Sequence, residues 1–167
     1  ALLLGWRGVL ALEPLALGTM VLAALIAGAT LPRLAASGSV ADSCAALIVA
    51  ASGMAALAFH SGSGSLAQLC GALAAASGGF ALWNYPRQRH EFGGLAALGG
   101  GGALIVIATQ LALFEDAALA ALPVCLLALF APEVTRLFPR PPGAYLSPFI
   151  VAAIAALPAL AAWGIAK

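Results

Sequence analysis

Charge is what this chain lacks most. Seven basic and six acidic residues among 167 make it 8% charged, where a soluble domain carries about a quarter. Composition alone therefore excludes an ordinary water-soluble globule. The basic residues form no run and the net charge is only +1, so the clustered positive face that nucleic acid requires is missing. Cysteine is also sparse. Cys44, Cys70 and Cys125 are odd in number, far apart and set in apolar segments, which gives neither a disulfide framework nor a CxxC metal signature. They read as buried thiols acting as small hydrophobes.

Signatures of catalysis are equally thin. Ser43-Cys44 and the serines of 61–65 have no identifiable base, and no Gly-x-Ser-x-Gly pattern opens a strand-to-helix turn. Intramembrane hydrolysis is unsupported on those grounds. His60 has no second histidine at helical spacing and His90 falls in a loop, so the sequence assigns no haem or metal ligand set. No cofactor is assigned, and an enzyme is the least favoured reading. Nearly every Asp, Glu, Arg and Lys falls at an expected helix end, with Asp42 explicable as a helix cap. That distribution counts against a proton pump, a voltage sensor or a carrier driven through a mid-membrane carboxylate. Carriers of neutral solutes remain open.

What the chain does have is apolar length. Hydrophobic residues make up 63% and the mean hydropathy is +1.08. A crossing helix needs roughly 20 apolar residues, so six crossings use about 120 and leave only short connections. The expected fold is all-α: a polytopic integral membrane protein of about six transmembrane helices forming one bundle. Turn chemistry places the spans at 14–31, 44–59, 66–83, 94–113, 117–131 and 146–166. Pro14 suits a first helical turn, Ser39 to Asp42 resembles a capping box, and Pro123 predicts a kink in the short fifth span. Residues 1–12 are too few to cross and are expected to lie along the interface as a helix, with the end of an earlier helix as the alternative.

Basic residues orient the bundle. The loops at 32–43, 84–93 and 132–145 hold Arg33, Arg87, Arg89, Arg136 and Arg140, against Arg7 and Lys167 on the other side. Five against two predicts that those three loops are cytoplasmic in a bacterial-type inner membrane. Arg87, Arg89 and His90 are candidates to contact anionic lipid or an acidic partner. On the opposite side His60, Gln68, Gln110, Glu115 and Asp116, with Glu13, are candidates for a polar vestibule. The amides of Gln68 and Gln110 more simply bridge helices.

Small residues recur at spacing four: Ala24 and Gly28, Ala46 and Ala50, Gly71 with Ala75 and Gly79, Ala97 and Gly101. That spacing aligns them on one helical face, where backbones approach closely in lipid. Gly71, Ala75, Gly79 and Gly101 are the expected helix-packing positions. The run Gly99 to Gly102 would fray in water and survives where free backbone groups have no solvent. Two functions fit: a non-catalytic subunit of a larger membrane assembly, in contact with lipid and with other polypeptides or itself, or a small carrier or channel for a neutral or weakly polar solute. The first is preferred.

Overall fold

The computed structural model describes residues 14–35, 39–114, 119–139 and 143–167. Among them the chain is helical with no strand. We number the helices α1 (Pro14–Ala35), α2 (Val40–His60), α3 (Gly64–Trp83), α4 (Gly94–Phe114), α5 (Ala121–Leu126), α6 (Ala131–Arg136) and α7 (Ser147–Ala166), with a 3-10 turn at Leu127–Phe130 joining α5 to α6. Four of them, α2, α3, α4 and α7, are long and apolar enough to cross a membrane. Residues 1–12, expected at an interface, lie outside the described residues.

Local chemistry explains the boundaries. Helix α2 starts at Val40, ahead of the expected 44, because the Ser39 hydroxyl oxygen accepts from the Asp42 N–H at 3.3 Å. The hydroxyl of Ser43 donates to Leu34 O and Ser39 O, both at 3.3 Å, and so ties the last turn of α1 to the first turn of α2. At the other end of α2, Gly62 adopts a φ of 88°, the left-handed conformation glycine tolerates. Its N–H donates to Phe59 O at 3.1 Å while the Ser63 N–H donates to Ala58 O at 2.9 Å. This pair of bonds is a Schellman closure. It turns the chain in three residues, so α3 must run back antiparallel along α2.

The first and fifth expected spans take other forms. Helix α1 continues past 31 through Pro32 to Ala35, and its shorter apolar stretch is Ala24–Leu34. Residues 117–118 of the fifth are not described, and from Ala121 the helical path is broken into α5, the 3-10 turn and α6. The break is set by Pro132, not Pro123. Pro132 has no N–H to give Ala128 O, and the Ala131 N–H takes that carbonyl instead in the tighter 3-10 pattern. Pro123 sits in the first turn of α5, where a missing N–H breaks no helical bond.

Helix α2 is the centre of the bundle. It packs most extensively on α3 and α7, while α1 packs on α4 and α5 packs on α7. Among the described residues, Leu47, Met54, Leu104, Leu111, Leu126, Val40 and Val151 are the bundle's largest fully buried apolar side chains. Glycine permits close approach at two contacts. A Cβ at Gly53 would lie 2.9 Å from Cys125 Sγ and 3.0 Å from Ala159 Cβ, where α2 meets α5 and α7. A Cβ at Gly101 would overlap Leu31 of α1, and at Gly100 it would press on Leu47 of α2. The glycine run therefore lets α4 close onto both neighbours.

The outside of this bundle is as apolar as its inside. Only 11% of the most apolar stretch of α3 and 17% of that of α7 is buried. Leu69, Leu82, Leu95, Leu98, Val106, Leu157 and Leu160 are among the large side chains left exposed. A soluble monomer rarely exposes contiguous apolar surface beyond a few hundred Å2, and here whole helices present it.

Candidate functional site

Helix direction collects one set of residues at one end. The C-terminal ends of α1 and α3 and the N-terminal ends of α2 and α7 meet there, joined by hydrogen bonds between residues distant in sequence. Ser147 Oγ donates to Asp42 Oδ2 at 2.8 Å, and the Tyr85 hydroxyl donates to Tyr145 O at 3.1 Å. Asp42 Oδ1 is buried with no hydrogen-bond partner among the described residues; the carboxylate lies in the first turn of α2, where the free N–H groups favour negative charge. Rings complete the contact: Tyr85 meets Tyr145 and Phe149 edge-on with centroids 6.3 and 6.2 Å apart.

The loop from 85 to 93 is built on Asn84, the only asparagine in the chain. The residue is 2% exposed. Asn84 Oδ1 accepts from the backbone N–H of Arg89 at 3.0 Å and of His90 at 2.8 Å, and Nδ2 donates to Phe80 O at 3.0 Å. One side chain therefore stops α3 and folds the loop back over its end. Phe92, buried against Phe80 at 6.3 Å between centroids, anchors the far end of the loop. The result displays Arg87, Arg89 and His90, all exposed. Arg89 stacks on the Trp83 ring at 5.2 Å from its centroid. Among the described residues neither arginine has a carboxylate within ion-pair distance; Arg136 does, pairing with Glu133 at 2.7 Å.

Beside this loop lies an apolar groove of about 270 Å3. Ala41, Ala45 and Ile48 of α2 form its floor, on one helical face. Ala81 and Leu82 of α3 stand on one side, Pro148, Phe149 and Ala152 of α7 on the other, and Tyr85 closes the loop end. The concavity follows from sequence: alanine on all three helices leaves space that a leucine would fill. Leu82 and Phe149 are 77% and 63% exposed, so the groove opens on the side of the bundle.

The opposite end carries His60, Gln68 and Gln110, each exposed, and Lys167, whose ammonium sits 3.6 Å from the Trp163 ring centroid. Among the described residues no hydrogen bond joins His60, Gln68 and Gln110 to one another, and no group of three His, Cys, Asp or Glu could hold a metal. Glu13, Glu115 and Asp116, the remaining vestibule candidates, lie outside the described residues, as do Arg7 and Arg140.

The four packing positions separate into two kinds. Gly101 is buried at the contact with α1. Gly71, Ala75 and Gly79 are exposed on the outer face of α3, and a Cβ added at Gly71 or Gly79 would meet nothing within 4 Å. Sequence reasoning missed the part played by Asn84 and the groove. A lone asparagine directly after an apolar helix was a readable C-cap signal; the groove, assembled from three distant segments, had none. No family model, curated protein or solved structure matches the chain.

Proposed function

We propose that this chain is a multi-pass integral membrane protein that serves as a non-catalytic subunit of a larger membrane assembly. The observation that carries this reading is the outward face of α3. Gly71, Ala75 and Gly79 form an exposed strip on which a Cβ added at either glycine meets nothing within 4 Å among the described residues, and α3 also exposes Leu69, Leu82 and Trp83. In lipid the tails are as apolar as leucine, so helices associate through close van der Waals contact, which small residues at spacing four permit. Gly53, Gly100 and Gly101 serve that purpose inside the bundle. The α3 strip offers the same chemistry to a helix from another polypeptide.

The end bearing Arg33, Arg87, Arg89 and Arg136 is assigned to the cytoplasmic side of a bacterial-type inner membrane by its excess of arginine. Lys167 is at the other end. Purification in mild detergent followed by mass measurement tests the subunit reading: it expects different polypeptides in fixed ratio with this chain. A lone species that moves a neutral solute in liposomes would replace it with a carrier. In that event Gln68→Leu or Gln110→Leu should abolish flux.

A further inference from the structure

The groove and the basic loop share residues. Tyr85 closes the groove and begins the loop, and Leu82 of the groove wall precedes Trp83, on which Arg89 stacks. We propose that together they bind one anionic phospholipid, with an acyl chain along α2 between α3 and α7 and the phosphate against Arg87 and Arg89. This rests on the membrane reading above and not on the partner subunit.

The groove runs beside residues 41–49 of α2, about 12 Å at 1.5 Å per residue, a length along which an extended acyl chain can lie. The lining is apolar throughout, which gives a polar solute nothing to bond. Charge selects the class. Arg87 and Arg89 have no acidic partner among the described residues, and Glu91 is the one acid in their loop; the pair complements a phosphate diester. The hydrogen bonds Ser147 to Asp42 and Tyr85 to Tyr145 hold α2, α3 and α7 around the groove whether or not it is filled.

The test is native mass spectrometry of the delipidated full chain in mild detergent, offered phosphatidylglycerol and phosphatidylcholine in equal amounts, with flotation on vesicles of each lipid alongside. One phosphatidylglycerol per chain should be retained, preferred by roughly thirtyfold, the factor for two arginine attractions near a membrane surface. Arg87→Gln with Arg89→Gln should remove the preference. Ala152→Leu, which fills the groove, should reduce retention of both lipids at unchanged helix content. Equal retention of the two lipids by the unaltered chain, or full retention by Ala152→Leu, overturns the lipid site while leaving membrane residence intact. A change in oligomeric state without a change in lipid retention in Ala152→Leu assigns the groove to a protein segment and also overturns it. Failure to float with either vesicle overturns the membrane reading itself.

Discussion

Gly79→Leu separates the stability of the chain from its association. Gly79 lies in the last turns of α3 with open space around it. The Cβ of a leucine there meets nothing within 4 Å among the described residues, and the substitution removes the conformational freedom that makes glycine a poor helical residue, a gain of about 0.8–1 kcal/mol. The isolated chain should therefore hold its helix content and unfold at the same temperature or slightly higher. A partner helix seated on the strip would meet a side chain where it had met backbone, at a cost of about 1–3 kcal/mol for overpacking. That is a loss of roughly 5- to 150-fold in association. Thermal unfolding of the purified chain, paired with co-purification of neighbouring polypeptides, reads both quantities. Unchanged co-purification by Gly79→Leu combined with Gly71→Leu would refute the assignment of this face. A large drop in stability would refute the claim that the strip is free.

Inside the bundle the same kind of change should act in the opposite sense. Gly53→Ala places a Cβ about 3.0 Å from that of Ala159, which is fixed to the α7 backbone, and should destabilise by about 1–3 kcal/mol in detergent unfolding. Asn84→Ala removes three hydrogen bonds; at about 1 kcal/mol each, with part recovered by water at the exposed loop, a loss of about 1–3 kcal/mol is expected, together with faster tryptic cleavage after Arg87 and Arg89. Cysteine introduced by Gln88→Cys should resist a membrane-impermeant reagent applied from the periplasmic side, and efficient labelling there would reverse the orientation.

The long helices were legible because length and apolarity suffice for them. The runs beginning at Gly94 and at Ser147 become α4 and α7 within a residue or so of expectation, and Ser39 caps α2 as its side chain allows. Which face of each helix turns inward was not legible. Amphipathic periodicity carries that information in a soluble protein, and helices apolar on every side have lost it. Gly71, Ala75, Gly79 and Gly101 looked alike in sequence, yet the first three are exposed and the last is buried. The contact between Asp42 and Ser147 spans 105 positions, and the groove draws on three helices. Neither leaves a local pattern. The break before Pro132 was missed for a related reason: two prolines lie near that segment, and only its starting point decides which of them costs a helical bond.

The central claim is that hydrocarbon surrounds this bundle. Leu157 tests it most directly, being 68% exposed and about 15 Å along α7 from Ser147, the middle of a hydrocarbon layer roughly 30 Å thick. A spin label at Leu157→Cys, with the chain reconstituted in bilayers, should relax strongly with oxygen and weakly with a water-soluble nickel chelate. Strong relaxation by the chelate and weak relaxation by oxygen would place that surface in water and contradict the account.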